Sequence, residues 1–316
     1  MSRLEEQLRR VVVQGDDFLD EIATHLIAAG GKRLRPALTL AAASLGEDEP
    51  SDNTLLGGVS VELVHLASLY HDDVMDEATH RRNVVSVNAR WGNLLAIVAG
   101  DFLLARSAEI AAALGPEVAG LLAATLARLC KGQVAEVRSA YRLDRSEDDY
   151  FEAISNKTAA LMSTACRIGA ITANLAREDV ESLTVFGESL GMVFQIRDDV
   201  LDVVASEAEL GKEPGQDLAE GIYTLPVQHA LLDPRVGAEL RSLLGKPLKP
   251  EQVEIARRLV SASSGIAASA EHARRYALAA AKAAEGLGDG PVPKALAQLG
   301  LGLLDDLERC ATALAS

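Results

Sequence analysis

The stretch Val61-Glu-Leu-Val-His-Leu-Ala-Ser-Leu-Tyr-His-Asp-Asp-Val-Met-Asp76 decides how the rest of the chain is read. Val61, Val64, Leu66 and Leu69 recur at helical spacing and run into an acidic cluster. Its outer members, Asp72 and Asp76, stand four residues apart. On a helix that spacing turns them by only about 40°, so their carboxylates share a face. A second cluster of the same form, Asp198-Asp199-Val-Leu-Asp202, lies further along. Mg²⁺ takes one or two carboxylates and fills its octahedron with water and phosphate oxygens, so two such clusters suit a metal-bridged phosphate ester. A third match, Asp16-Asp17-Phe-Leu-Asp20, has no basic residue between Arg10 and Lys32 and reads as exposed charge. The other two keep different company: His65 precedes Asp72 and Arg81-Arg82 follow it, while Gln195 precedes Asp198 and Lys212 follows it.

Outward from these clusters, apolar residues keep the three- and four-residue rhythm, as in Leu121, Leu122, Leu126 and Leu129, and no stretch alternates for long. The expectation is an all-α protein, a bundle of roughly ten or more helices. Breaks are expected at Gly30-Gly31, Gly46 to Ser51, Gly115-Pro116, Arg142 to Ser146, Arg177 to Asp179, Gly211 to Gly221, Asp233-Pro234, Gly245 to Pro250 and Gly286 to Pro293. None is long enough to act as an interdomain linker, so residues 1–316 read as one domain. Abundant alanine with 3% aromatic residues implies closely packed helices. A net charge of −15 and no long basic run argue against nucleic acid as a partner. Cys130, Cys166 and Cys310 show no paired spacing and read as thiols of a reducing, cytoplasmic setting. Charges throughout the first twenty residues argue against a signal peptide. No uncharged apolar run approaches the roughly 18 residues of a membrane span, so no transmembrane segment is expected.

Other residues fit a phosphate site. Gly30-Gly31-Lys32-Arg33-Leu34-Arg35-Pro36 joins two helices, placing Lys32 and Arg35 on a short turn next to the N–H groups of a helix start. His65, seven residues before Asp72, falls close to the same stripe. Arg81-Arg82 past the helix end suit either a bound phosphate or the helix dipole. Gln195 shares a face with Asp198, and Lys157-Thr158 sets a cation beside a hydroxyl.

Together these residues resemble the trans-isoprenyl diphosphate synthase family, the head-to-tail prenyl transferases. The likeness runs from Gly30–Pro36 through Val61–Asp76, Arg81-Arg82, Gly100-Asp101, Lys157-Thr158 and Phe194–Asp202 to Gly211-Lys212, Gly215-x-Asp217-Leu218 and Thr224-Leu225-Pro226. It implies a helical bundle around a deep central cavity, a homodimer, and condensation of isopentenyl diphosphate with an allylic diphosphate. It implies Mg²⁺ on Asp72, Asp76 and Asp198, with Asp73 and Asp202 in support. Lys32, Arg35, His65 and Arg82 would hold isopentenyl diphosphate, and Arg81, Lys157, Thr158, Gln195 and Lys212 the allylic diphosphate. Val64, Ala67 and Ser68, small and near the Asp72 stripe, would set product length. The flanks Leu66 to Glu77 and Arg90-Trp91-Gly92-Asn93 look most like those of long-chain polyprenyl synthases. Ile222, where many members carry Lys, and Asn83, where glycine is usual, depart from the pattern. A geranylgeranyl-length synthase and a non-catalytic partner subunit are the alternatives. A terpene cyclase has no second diphosphate to hold, which the Gly30–Pro36 turn argues against.

Overall fold

The computed structural model describes residues 1–206 and 213–315, so Lys212 lies outside the described residues. Helix dominates, as expected. Among the described residues the strands are β1 (His80–Arg81) and β2 (Val84–Val85), antiparallel with His80 opposite Val85 and Arg81 opposite Val84. They were not expected. A two-residue hairpin needs left-handed backbone at both central positions, and Arg82 and Asn83 have φ of 53° and 63°. Asn83 thus does the work of the usual glycine. Arg82 in that conformation is strained and must be held by its surroundings.

The chain forms two compact units, Met1–Leu126 with Leu161–Thr184, and Ala127–Ala160 with Val185–Ser316. In the first, helix α1 (Ser2–Val12), α2 (Asp17–Ala28), α3 (Leu34–Ala43), α5 (Val87–Trp91) and α6 (Asn93–Leu114) pack around α4 (Asp52–Met75). Helix α4 is buried on nearly every side, which explains why its sequence is apolar all round rather than amphipathic. Gly57 admits a neighbour: a Cβ there would meet Ile168 at 2.6 Å. Leu4, Leu8, Ile22, Leu26, Leu63, Leu66 and Tyr70 fill the core. Burying each such leucine contributes roughly 1.5–3 kcal/mol. The third acidic cluster belongs to this scaffold. Asp16 caps α2 by accepting the N–H groups of Phe18 and Leu19 at 3.1 Å, and Asp20 accepts those of Gln14 and Gly15 at 2.8 and 3.0 Å.

The second unit is built around the C-terminal part of α10 (Arg177–Val204), with α8 (Glu147–Ile154), α11 (Gln216–Glu220), α12 (Leu225–Leu232), α13 (Gly237–Leu243), α14 (Pro250–Ser261), α15 (Gly265–Glu285) and α16 (Pro291–Ala315). Helices α15 and α16 approach through small residues; a Cβ on Gly300 would sit 3.3 Å from Ala280. Between α8 and α9 (Ala160–Thr172) the chain makes a π-helical turn, Ser155–Ala159, which no sequence pattern announced. The break expected at Arg177–Asp179 falls instead at 173–176. Glu178 and Asp179 stand in the first turn of α10, where carboxylates complement the helix dipole.

One helix bears on the expectation of no uncharged apolar run of membrane length. Helix α7 (Pro116–Ser139) is long and apolar enough to cross a membrane, with 28% of its apolar window buried. Scattered charges such as Glu117 and Arg128 interrupt its uncharged runs, which hid it from that reading.

Candidate active site

In the first unit the end of α4 presents the first acidic motif. The N–H of Asp76 donates to the Asp72 carbonyl at 2.8 Å, so helical spacing persists to the final aspartate. Asp72 is partly exposed and Asp76 exposed. Asp73 points elsewhere: it is fully buried, and Arg81 from β1 donates to its Oδ1 through Nε at 2.7 Å and Nη2 at 2.6 Å. Asn88 donates to its carbonyl at 2.9 Å. Burial raises the Asp73 pKa, opposed by the Arg81 charge. Asp73, expected to support the metal, therefore anchors the β-hairpin, and Arg81 is engaged with it.

A basic cluster gathers beside the N-terminal part of α3. Of the cations in the Gly30–Pro36 turn, Arg33 is structural. It is buried, with φ of 47°, and pairs with Glu5 at 2.6 Å and Glu62 at 3.0 Å while donating to the Ile27 carbonyl at 3.1 Å. Lys32 is exposed and Arg35 partly buried. Burial lowers the Arg35 pKa, Glu62 opposes this, and Arg82 adds to it. Arg82 donates to the carbonyls of Leu26, at 3.2 Å, and Gly30, so it caps the C-terminal end of α2 and holds its own strained backbone in place. Gly31 is required for this approach, since a Cβ there would lie 2.9 Å from the Arg82 guanidinium. His65 sits within the cluster; burial first, then the charges of Arg35, Arg82, Arg33 and Arg81, hold its pKa well below 6.5. Glu62, 1% exposed, offsets the cations, and sequence reasoning missed it. A glutamate inside an apolar helical run was the available signal.

The residues expected to limit product length divide. Val64 and Ala67 are 2% and 0% exposed, Ala67 within the core cluster of α4. Neither lines open space. Ser68 retains exposed surface, and its hydroxyl donates back to the His65 carbonyl at 2.8 Å.

In the second unit, the π turn places Lys157 and Thr158. Lys157 pairs with Glu136 of α7, and Gly132 allows the approach, since a Cβ there would lie 2.8 Å from the Lys157 nitrogen. Turns of this kind recur at functional sites. Thr158 donates to Gln195 Oε1 at 2.7 Å, and Gln195 donates through Nε2 to Asp199 Oδ1 at 2.7 Å. Tyr150 donates to Asp199 Oδ2, also at 2.7 Å. Burial lifts the Asp199 pKa to about 7, opposed by the Tyr150 and Gln195 hydrogen bonds and assisted by the charges of Asp198 and Glu136. Asp198, on the exposed side, keeps 45% of its side-chain surface and lies 3.4 Å from Arg197. Asp202, expected at the metal in support of Asp198, is 4% exposed and accepts the Asp217 N–H at 3.2 Å, which ties α10 to the start of α11. Ile222 donates through its N–H to the Asp217 carbonyl at 2.7 Å. Tyr150 and Glu136 were not foreseen, because nothing in their spacing marks them.

The donors at Asp72 and Asp76 in the first unit, and at Asp198 in the second, are carboxylate oxygens with exposed surface, the donor type that a hard divalent cation such as Mg²⁺ takes. The profile of the family described as Polyprenyl synthetase matches residues 16–262. The chain belongs to that family. It is a prenyltransferase of the trans-isoprenyl diphosphate synthase type and resembles the long-chain members. Nonaprenyl diphosphate synthase of Mycobacterium tuberculosis is 38% identical over 301 residues, covering 95% of this chain and 90% of that protein. A decaprenyl diphosphate synthase structure from Rhodobacter capsulatus matches with TM-score 0.89 and 33% identity over 97% of this chain and 96% of that one. A geranylgeranyl pyrophosphate synthase structure from Corynebacterium glutamicum, complexed with calcium and isoprenyl diphosphate, matches with TM-score 0.86 and 40% identity over 97% and 95%. Relatives named as synthases at this coverage do not favour the partner-subunit alternative.

Proposed function

We propose that the protein joins isopentenyl diphosphate head-to-tail to an allylic diphosphate with Mg²⁺, releasing diphosphate and building a long all-trans chain. The outer aspartates, Asp72 and Asp76 on α4 and Asp198 on α10, carry the reading: each keeps exposed surface while its motif's middle aspartate is buried in scaffold contacts. Breaking the allylic C–O bond leaves a carbocation and a diphosphate anion, so charge on the departing oxygens must be met by groups already in position. Bound Mg²⁺ would supply most of that charge, held by Asp72, Asp76 and Asp198. Lys157, beside Glu136 on the π turn, adds a cation, and Lys212 and Arg81 complete the allylic diphosphate site. Lys32, Arg35 and Arg82, with neutral His65, bind the diphosphate of the isopentenyl substrate. Its double bond attacks the cation, and the proton lost afterwards goes to the released diphosphate. Asp73, Asp199 and Asp202 act as supports rather than ligands.

The long product is supported by the named relatives and by Ser68, a small, partly exposed residue four positions before Asp72. The family match over residues 16–262 supports one synthase domain spanning 1–316. Leu94, Ile97 and Val98 on α6, 74%, 41% and 49% exposed, support a homodimer that covers them. Free cysteines among the described residues support a cytoplasmic setting. The test is incubation of purified protein with Mg²⁺, labelled isopentenyl diphosphate and a panel of allylic starters, followed by product sizing. Long polyprenyl products are expected. No condensation with any starter would refute the reading.

A further inference from the structure

Three helices of the second unit converge on a group of side chains that the prenyl transfer does not use. Glu147 opens α8, His229 lies on α12 and His272 on α15, and one donor atom from each lies within 4.8 Å of the others. Glu147 Oε1 is 3.6 Å from His229 Nε2, and its Oε2 is 3.5 Å from His272 Nε2. These separations are long for N–H···O hydrogen bonds. They lie near the roughly 3.3 Å between donors that each sit about 2.05 Å from a tetrahedral ion. His229 Nε2 is moreover buried with no hydrogen-bond partner. An orphaned imidazole nitrogen next to a carboxylate is costly unless something occupies the space between them. The Phe151 ring, 5.0 Å from that of His272, closes one side.

We propose that Glu147, His229 and His272 bind a first-row transition-metal dication, with Zn²⁺ the best match, at a site separate from the aspartate motifs. Two imidazoles and one carboxylate are a borderline-soft set suited to zinc, whereas Mg²⁺ prefers oxygen alone. Three protein donors leave a fourth position for water. The ion ties α8 to α12 and α15. Burial, then the Arg275 charge, lowers the His272 pKa, so the ring is neutral, as a ligand must be. One contact opposes the ion: exposed Arg275 donates to His272 Nδ1 at 2.5 Å. A ring ligated through Nε2 carries its proton on Nδ1, so Arg275 must swing away on binding. Its removal should therefore tighten the site.

The test uses untagged full-length protein carrying Cys130→Ser, because that thiol is exposed and thiols are competing zinc ligands. The protein is stripped with chelator and then titrated with Zn²⁺ by calorimetry, and with Co²⁺ by visible absorption, in millimolar Mg²⁺. One equivalent per chain is expected, with the intense absorption of tetrahedral cobalt. Affinity should fall on the order of a hundredfold or more in His229→Gln and in Glu147→Gln, two variants with unchanged circular dichroism and prenyl transfer. It should rise several-fold in Arg275→Ala and stay unchanged in Asp72→Asn. Absence of stoichiometric binding, retention in both His229→Gln and Glu147→Gln, weakening in Arg275→Ala, or loss in Asp72→Asn would each overturn the assignment.

Discussion

At the end of α4 the buried middle aspartate, Asp73, meets the charged Arg81 guanidinium, whereas on α10 its counterpart, Asp199, meets the neutral donors Gln195 and Tyr150. The outer positions differ too. Asp72 and Asp76 both keep exposed surface, but of Asp198 and Asp202 only the former does. The same aspartate spacing therefore yields a two-carboxylate face in one place and a one-carboxylate face in the other. A helical pattern fixes which residues share a stripe, but the packing around the stripe decides which of them a substrate can reach.

The largest expected effects test the outer residues. Asp72→Ala and Asp198→Ala should each lower turnover by ~10²- to 10³-fold with unchanged circular dichroism, as removal of a group that positions transition-state charge stabilisation does. Asp202→Asn should cost far less activity than Asp76→Asn at saturating Mg²⁺, and equal losses would erase the asymmetry. The middle residues sharpen the contrast through stability. Asp73→Asn strips a buried carboxylate from Arg81 and should cost about 2–3 kcal/mol, below the full buried-pair range because Arg81 is a third exposed. Asp199→Asn, facing neutral donors, should cost about 1 kcal/mol. Urea unfolding measures both.

The basic surroundings of the first motif should leave a pH signature. His65 is held neutral when folded, with a pKa well below its ordinary 6.5. The unfolded chain binds the proton first, so the stability from this residue is full above pH 6.5 and is lost as pH falls toward the folded-state pKa. His65→Gln should flatten the stability profile below pH 6.5 while leaving the neutral limb in place. The smallest expected effect is on product size: Ser68→Phe should shorten the chains seen by chromatography, whereas Ala67→Phe should mainly destabilise an already filled core.

How much the sequence revealed follows from the physics of each feature. Helix content and the stripe carrying Asp72 and Asp76 were legible because period and spacing are local. So was the left-handed tolerance of Asn83, which the hairpin uses at φ 63°. The burial of Asp73 and Asp202 was not legible, because it depends on Arg81 and the Asp217 N–H arriving from other segments. Nor was the division of labour within the Gly30–Pro36 turn, where Arg33 is committed to Glu5 and Glu62. The π turn at Lys157 had no composition signal at all, and the close passage of Gly132 on α7 beside it is a contact between segments distant in sequence.

The central claim is that both motifs serve one step through the same cation chemistry. Single-turnover prenyl transfer at saturating Mg²⁺ should be compared for the parent protein, Asp72→Ala, Asp198→Ala and the double variant. If the motifs act as a unit, the double variant should lose little more than the worse single one, because either deletion already disables the step. Losses that multiply, or turnover near the parent level in either single variant, would contradict the account.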